Sequence, residues 1–368
     1  MTGRPTPRRT TARQTLPWRQ SRIPFATLAV LLALALFVSA GLLVAGCGSG
    51  TAATTTVAPA ATTASTAAAP ETTTTAAPVE TTTSAAAQPA EEVTYPLTVT
   101  DDSGNSVTIK AKPVHIVSTA PASTEILFAL GAGDRVVGVS SNDDYPPEAA
   151  SIAKIGDYQP NPEAILALSP DLVIGYSENE EALAPVRDAG APVLILNPAT
   201  FEKIYGNIDL LGQVTGTAQK AAELVASIKA QVKAVSDAAA QFKFSPKVFY
   251  AVDATLWTAG PDSFVDGMLK MVGATNIGSM PGTDSAAAQT YYQLAPEQLI
   301  AADPDVILLP NTAYKSVDEF TKDPRFAQLT AVQAGHVYLV NDTIITRPGP
   351  RIAEGLKALL EAIQPAAS

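Results

Sequence analysis

Short apolar runs alternate with segments of helical periodicity through most of the chain after residue 113. The runs that predict strands lie at 115–118, 136–139, 172–174, 193–196, 248–252, 306–309 and 337–340. The intervening segments that predict helices include 121–130, 180–189 and 352–363. Because the strand segments are almost continuously apolar instead of alternating with polar residues, they predict parallel sheets covered on both faces. The pattern therefore indicates an α/β fold.

A different pattern precedes the first α/β unit. Two short segments of β character, 97–100 and 107–109, flank a turn of sequence Asp-Ser-Gly-Asn at 102–105. Asp, Gly and Asn favour the tight turns that join antiparallel strands. The segment therefore predicts a β-hairpin at the start of the folded region.

One uninterrupted helical pattern divides the α/β region near its middle. From Thr217 to about Ala240 the sequence contains neither proline nor glycine. Apolar side chains recur there at helical spacing, at Ala221, Leu224, Val225, Ile228, Val232 and Val235. A helix of this extent is about 36 Å long at roughly 1.5 Å per residue, which is enough to bridge two lobes. The alternative interpretation is a long helix that simply packs within the fold.

One phrase occurs twice in the sequence, at 161–176 and at 295–310. Each copy has proline at the first helical position, glutamate beside it, two helical turns with an apolar face, a Pro-Asp turn and a buried strand. The repetition predicts two lobes of similar construction. The equivalent glutamates, Glu163 and Glu297, fall on exposed first turns. There they either stabilise the helix dipole or contact arginines of a two-subunit partner.

The N-terminal part of the chain predicts an export signal followed by a tether. An arginine-rich, acid-free segment precedes an apolar run at 23–44 and a Val-Ala-Gly-Cys sequence that resembles the lipobox of bacterial lipoproteins. We expect residues 1–46 to form a signal peptide for the Sec route and Cys47 to be lipidated. The alternative is that the apolar run spans the membrane uncleaved. Residues 47–92, rich in Thr, Ala and Pro, predict a disordered tether.

Composition and motifs argue against several classes of function. The formal net charge of −11 and the lack of a basic stripe argue against nucleic acid as a partner. Cys47 is the only cysteine, so no disulfide forms within the chain. The two histidines, His115 and His336, stand at the edges of apolar segments and outside any metal-ligand spacing. With no nucleophile elbow and no P-loop, the sequence predicts neither an enzyme nor a resident metal or cofactor.

Three segments carry a resemblance to a known family. They are an opening strand and helix at 114–131, a strand entry at 168–174 and the sequence Arg-Pro-Gly-Pro-Arg at 347–351. Over about residues 93–365 the chain resembles the periplasmic binding proteins for iron chelates, haem and cobalamin. The resemblance implies two Rossmann-like α/β lobes with central sheets, joined by one long rigid helix, and a ligand cleft between the lobes.

The resemblance also implies an organisation and a role. The first lobe is expected at 93–215, the linking helix at 216–241 and the second lobe at 242–368. The implied role is that of a monomeric substrate-binding lipoprotein of an ABC importer. It would be anchored through lipid on the extracytoplasmic face of the cell membrane, and it would capture a metal chelate and deliver it to a permease dimer.

The ligand class is implied by two further segments. Residues 140–147 and 158–163 look most like those of the cobalamin binders, which favours a corrinoid. The alternatives within the family are a ferric siderophore and haem. Outside it, two remote alternatives are an envelope enzyme, which would need a clustered acid, base or metal site in the cleft, and a cell-surface interaction module, in which side chains would fill the cleft.

Four aromatic residues are implied to face the cleft. By the resemblance, Tyr145 and Tyr158 face it from the first lobe, and Trp257 and Tyr291 from the second. Aromatic rings suit a flat macrocycle because they offer rigid apolar area with a polar tip. Each of the four could instead belong to the core or to the rim. Tyr158 and Tyr291 depart from the tryptophans expected in a cobalamin binder, which weakens the corrinoid assignment.

Charged residues complete the implied site. Arg347 is a candidate to bind an anionic siderophore or haem propionates, or to fix the last helix. For Arg351 the structural role is favoured. Glu163 and Glu297 match the glutamates with which the family docks onto its transporter.

Overall fold

Two α/β lobes and one connecting helix make up the part of the chain that the computed structural model describes, residues 93–281 and 290–367. The predicted two-lobed fold with parallel sheets is confirmed. Cys47 and the predicted signal peptide and tether lie outside the described residues.

The first lobe contains the elements that precede the long connecting helix. Its strands are β1 (Leu97–Thr100), β2 (Ser106–Ile109), β3 (Ile116–Ser118), β4 (Val136–Val139), β5 (Ala153–Lys154), β6 (Leu172–Tyr176) and β7 (Val193–Leu196). Its α-helices are α1 (Pro121–Ala129), α2 (Pro162–Ala167), α3 (Ala184–Asp188) and α4 (Phe201–Thr215). The strands β5-β4-β3-β6-β7 form a parallel sheet in that order, and β1 pairs with β2 as the predicted antiparallel hairpin.

Alternate residues of the central strands pack on opposite faces of this sheet. Ile116 and Leu172 lie in the same apolar cluster as side chains of α1 and α4, whereas Val117 and Val173 lie in a second cluster with side chains of α2 and α3. All four are fully buried. Burial on both faces explains why the strands are continuously apolar in the sequence.

The hairpin is fastened to the sheet through one buried carboxylate. Asp101 accepts hydrogen bonds from the backbone N–H groups of Ser103 and Asn105 in the turn and of Ile195 in β7. Gly104 adopts a φ of +84°, which glycine tolerates without strain. The turn chemistry therefore also positions the hairpin against the lobe.

A single long helix, α5 (Ala218–Ala239), connects the lobes. Val225, Ile228 and Val232 are buried along one face. The helix packs against α4 of the first lobe and against the C-terminal helix α11 (Ile352–Ala367) of the second. Contact with both lobes makes α5 a strut, as the uninterrupted pattern predicted.

The second lobe repeats the α/β construction of the first. Its strands are β8 (Lys247–Tyr250), β9 (Trp257–Ala259), β10 (Thr275–Asn276), β11 (Tyr291–Gln293), β12 (Val306–Pro310) and β13 (Val337–Val340). Besides α11, its α-helices are α6 (Phe264–Met271), α7 (Pro296–Ala302), α8 (Asp318–Thr321), α9 (Thr330–Ala334) and α10 (Asp342–Thr346). The strands β10-β8-β12-β13 form a parallel sheet, and β9 and β11 form a separate antiparallel pair.

Short 3₁₀ helices fill several connections. They span Gly133–Arg135, Pro147–Ser151, Ser177–Asn179, Glu181–Leu183 and Ile277–Ser279. One of them corrects a prediction, since the helix expected at 180–189 is a 3₁₀ turn followed by the five residues of α3. Pro185 lacks a backbone N–H and is confined to the first turn of a helix, so a continuous helix through it is disfavoured.

The two copies of the repeated phrase adopt equivalent structures. The residue before each Pro-Asp turn has a positive φ, +50° at Ser169 and +42° at Asp303. The aspartate of each turn then accepts backbone hydrogen bonds at the start of the neighbouring strand. Asp171 bonds to the N–H groups of residues 114 and 115, and Asp305 bonds to that of Lys247. The motif thus aligns adjacent strands in both lobes.

Candidate functional site

A cavity of about 740 Å³ lies between the lobes, and it is called the interlobe cleft below. Its first-lobe lining begins where strands end. Thr119 directly follows β3, Ser140 directly follows β4, and Tyr176 is the last residue of β6. The volume falls within the range of typical ligand sites. Ligands of open α/β sheets bind at the carboxyl ends of the strands, which is where these side chains lie.

The second lobe closes the interlobe cleft in the same manner. Thr312 follows β12, and Asp342 begins α10 just after β13. Arg347 and Pro348 complete this side of the lining. Both lobes therefore present strand ends to one shared space.

Arg347 is held by groups of the first lobe. Its Nη1 donates to Oδ1 of Asp144 at 2.5 Å and to Oε1 of Glu125 at 3.4 Å, and its Nη2 donates to the carbonyl oxygen of Asn142 at 3.3 Å. The hydrogen bond from Arg347 holds the pKa of Asp144 below its usual value. The guanidinium therefore joins the two lobes directly.

Arg351 makes a second contact with the same buried acid. Its Nε and Nη2 lie 2.9 and 2.6 Å from the two carboxylate oxygens of Glu125, whose side chain is only 2% exposed. The Arg351 guanidinium also stacks on the ring of Tyr145, with 3.9 Å between its carbon and the ring centroid. We call Glu125, Asp144, Tyr145, Arg347 and Arg351 the arginine network. It agrees with the structural role favoured for Arg351.

A buried carboxyl supports the loop that carries Asn142 and Asp144. Asp143 is almost inaccessible, and the Ser140 hydroxyl donates a short hydrogen bond to it. Burial raises the pKa of Asp143, although Ser140 and Lys154 act in the opposite direction. Lys154 also donates to the backbone carbonyl oxygen of Asp143. These contacts fix the loop at one wall of the interlobe cleft.

Tyr176, in the lining of the interlobe cleft, and Tyr291 of the second lobe both have a raised pKa. Burial raises the pKa of Tyr176 to about 12, and Glu178 and Tyr291 add to that rise. Partial burial also raises the pKa of Tyr291, with added effects of Asp342 and Glu178. Tyr176 thus keeps its phenolic proton throughout the physiological pH range and can donate a hydrogen bond.

The structure distributes the five predicted ligand residues unevenly. Tyr158, 81% exposed, and Arg347 contribute to the lining of the interlobe cleft. Tyr145 contacts Arg351 and is not part of that lining. Trp257 and Tyr291 lie on neighbouring strands of the β9–β11 pair, each about two-fifths exposed, and neither is part of the lining.

The two predicted docking glutamates occupy matching positions. Glu163 and Glu297 lie in the first turns of α2 and α7, and both are exposed. In the first lobe the Asn161 side chain accepts the backbone N–H of Glu163, whereas in the second lobe Gln298 accepts that of Ala295. The caps differ, but the carboxylates take equivalent places in the two lobes.

Several lining residues were missed by sequence reasoning. Thr119, Tyr176, Glu178 and Asn179 line the interlobe cleft, and none was singled out. The available signal was their position within a few residues of the ends of predicted strands, at the edge where ligands of α/β sheets bind. Glu125 was missed too, because its partners lie more than two hundred residues away.

Two features are absent from residues 93–281 and 290–367. Within those ranges no cluster of three or more His, Cys, Asp or Glu side chains is arranged to hold a metal ion. In the same ranges, no helix combines the length and the hydropathy that a membrane crossing requires.

Comparison with known proteins decides the family. The sequence profile described as "Periplasmic binding protein" matches residues 116–343, which is more than half of the chain. The chain belongs to this family. The resemblance found in the sequence is thereby confirmed, and because the family consists of solute-binding proteins, the chain is not an enzyme.

Individual relatives of the chain support this family assignment. The chain is 36% identical over 281 residues to the uncharacterised ABC transporter substrate-binding lipoprotein YvrC of Bacillus subtilis, with 74% of this chain and 86% of YvrC covered. It is 29% identical over 281 residues to a cobalamin-binding protein of Halobacterium salinarum, with 73% and 74% covered. The apo structure of the periplasmic haem-binding protein RhuT from Roseiflexus sp. RS-1 matches with 32% identity and a TM-score of 0.62. That match covers 69% of this chain and 99% of RhuT.

Proposed function

We propose that this solute-binding protein captures a corrinoid in the interlobe cleft and delivers it to the permease of an ABC importer. The similarity to YvrC supports the importer, and the similarity to the cobalamin-binding protein of H. salinarum supports the corrinoid. The cleft volume of about 740 Å³ suits a large ligand that remains partly exposed between the lobes.

The polar character of the lining is the observation that carries the corrinoid proposal. Hydroxyl and amide side chains are contributed by both lobes, from Ser140, Ser141, Asn142, Gln159, Asn179, Thr312 and Thr343. A corrinoid carries amide side chains around its ring, and amides both donate and accept hydrogen bonds. Neutral hydroxyl and amide groups can pair with them without the desolvation cost of bringing charges together.

Aromatic side chains would hold the macrocycle itself. Tyr158 is the most exposed aromatic residue in the lining, and we assign it a stacking role against one face of the ring. Tyr145, Trp257 and Tyr291 would contact the ring edge as the lobes close, and Arg347 would donate to a ligand carbonyl. Tyr158 and Tyr291, which stand where tryptophan is expected in a cobalamin binder, retain the flat surface that stacking needs.

A second candidate ligand is haem. The specific observation in its favour is the 32% identity to haem-binding RhuT. Haem carries propionates in place of the amide periphery of a corrinoid. The charge of the cleft therefore discriminates between the two ligands.

Delivery and anchoring complete the proposal. Glu163 and Glu297, one on each lobe, would form matched ion pairs with arginines on the two subunits of the permease. Cys47 would be lipidated and would hold the protein on the extracytoplasmic face of the membrane. Several acyl chains on this cysteine are needed, because a single chain anchors only marginally.

Titration of the full-length protein, purified in mild detergent, with cyanocobalamin tests the proposed ligand. We expect a shift of the visible absorption bands and a saturable heat signal at micromolar concentrations. The absence of both signals at micromolar ligand refutes the corrinoid assignment. Parallel titration with haemin then decides for or against the second candidate.

A further inference from the structure

The lining of the interlobe cleft carries an excess of negative charge. Four carboxylates contribute to it, from Asp144, Asp157, Glu178 and Asp342. Among the described residues of the lining, Arg347 is the single cationic side chain. Three of these acids come from the first lobe and one from the second, so a bound ligand meets carboxylates from both sides.

The positive charge of Arg347 is already matched inside the protein. Its guanidinium pairs with Asp144 at 2.5 Å and with Glu125 at 3.4 Å, and its side chain is only 16% exposed. Glu125 is itself buried and is shared with Arg351. To pair with Arg347, an anionic ligand would have to displace the carboxylates of Asp144 and Glu125, which already lie within salt-bridge distance of it.

Two of the three remaining acids, Asp157 and Asp342, are held in place by neutral partners. Asp157 accepts a hydrogen bond from the Asn142 amide at 2.6 Å, and Asp342 accepts one from the Tyr250 hydroxyl at 2.6 Å. Neither partner cancels the carboxylate charge. Both charges therefore persist in the lining, where the surrounding protein screens them less than bulk water does.

We infer that these carboxylates restrict the interlobe cleft to neutral and cationic chelates, and that Asp144 determines this specificity by neutralising Arg347. The inference rests on the proposed function and narrows its ligand class. Each carboxylate of the lining near an anionic group on the ligand weakens binding by about tenfold, given the strength of charge pairs a few ångströms apart at a protein surface. Haem propionates and anionic ferric catecholates are thereby disfavoured.

Matched pairs of probes test the inference with the full-length protein in mild detergent. The corrinoid pair is cyanocobalamin and its carboxylate derivatives, made by hydrolysing peripheral amides, which keep the shape and add negative charge. The ferric pair is ferrioxamine B, a cationic hydroxamate chelate, and a hydrophilic ferric tris-catecholate. Within each pair that binds, we expect the affinity for the anionic member to be at least about tenfold weaker than the affinity for its partner.

Two variants and one control separate charge from shape. Asp144→Asn removes the nearer of the two carboxylates that pair with Arg347. In this variant and in Glu178→Gln, we expect the affinity penalty for the anionic member to shrink by about three- to tenfold. Raising the salt concentration from about 50 to about 500 mM narrows the penalty in the unaltered protein, because the charges are screened. Asp323→Asn, which removes a carboxylate paired with Arg325 outside the lining, leaves the penalty unchanged.

The outcomes distinguish this inference from the proposed function. Equal affinity for the two members of a pair overturns the inference, even where cobalamin binds. So does an affinity penalty for the anionic member that changes neither with salt concentration nor in Asp144→Asn. Binding of ferrioxamine B without any corrinoid supports the inference and refutes the corrinoid proposal. Failure of every probe to bind overturns both.

Discussion

Arg351 of the second lobe forms a bidentate ion pair with Glu125 of the first lobe, with N···O distances of 2.9 and 2.6 Å. Both side chains are largely buried, so the pair is shielded from solvent in a way that surface ion pairs are not. A buried carboxylate that serves two arginines is costly to remove, because both guanidinium groups then lose their partner.

We therefore expect Glu125→Gln to lower the free energy of unfolding by about 3 kcal/mol. The amide is nearly isosteric but cannot neutralise Arg347 and Arg351. Chemical denaturation of the full-length protein measures the change. Asp237→Asn is the matched control, since its partner Lys233 is exposed and the stability should not move. Equal stability of Glu125→Gln and the unaltered protein contradicts the energetic role given to this ion pair.

The pair between Arg347 and Asp144 predicts a dependence on pH. The hydrogen bond from Arg347 lowers the pKa of Asp144 below its usual value in the folded protein. A carboxylate with a lowered pKa contributes stability above its unfolded pKa and loses it as the pH falls through the folded value. The difference in thermal midpoint between the unaltered protein and Asp144→Asn should therefore be constant from about pH 7 to 5 and shrink as the pH falls through the lowered pKa of Asp144. If the difference in thermal midpoint stays the same down to the lowest pH, the Arg347–Asp144 ion pair is not its source.

Replacing the most exposed aromatic residue of the lining tests the stacking role. We expect Tyr158→Ala to weaken cobalamin binding by about tenfold, as removal of an aromatic contact does, without lowering the thermal midpoint. The side chain is 81% exposed, so folding gains little from it. Phe244→Ala removes an exposed ring outside the cleft lining and should change neither quantity. Unaltered cobalamin affinity in Tyr158→Ala excludes the stacking contact.

The double variant Glu163→Ala with Glu297→Ala tests docking. Ligand affinity should stay within twofold of the unaltered value, roughly 0.4 kcal/mol, because both residues lie outside the cleft lining. Uptake of labelled cobalamin by cells that depend on this protein should fall at least about tenfold, since the two proposed ion pairs with the permease would be lost. Glu202→Ala, another exposed glutamate in a first helical turn, is the control. Normal uptake by the double variant refutes the docking role.

The aspartates of the repeated Pro-Asp turn predict unequal effects on stability. Asp171 accepts two backbone hydrogen bonds and Asp305 accepts one from a strand N–H. Asp171→Ala should cost about 2 kcal/mol and Asp305→Ala about 1 kcal/mol of unfolding free energy. Calorimetry of the variants measures both, with exposed Asp188→Ala as the control. The reverse order contradicts the account of strand alignment.

The lobes were predictable because their elements follow from local patterns. Strands buried on both faces are apolar at nearly every position, and the repeated phrase carries its own helix start, turn and strand. Asp171 and Asp305 recur because the same turn must meet the start of a neighbouring strand in each lobe. These constraints act over a few residues and are legible in one sequence.

The β9–β11 pair was not predictable from local pattern. Each strand is three residues long, too short for a clear alternation, and its partner is distant in the chain. Trp257 and Tyr291 were therefore selected by resemblance, without knowledge that they share one antiparallel pair.

The candidate site was predictable only in part, for a related reason. Tyr158 and Arg347 could be selected from the sequence by residue type. Glu125 lies in a helix whose neighbouring side chains are buried, and its role becomes visible only through its contact with Arg351, 226 positions away. Pairings over such distances depend on how the lobes meet, which residue spacing does not encode. The strand ends were the unused local signal, since Thr119 and Ser140 directly follow predicted strands.

The lining at the strand ends separates recognition from folding. The residues that would meet a ligand sit in connections or near the ends of helices and strands, whereas the apolar clusters on the sheet faces stabilise the scaffold. Substitutions in those connections can therefore retune cargo preference at little cost in stability. The same division makes the scaffold suitable for building sensors, in which new loops supply new selectivity on an unchanged frame.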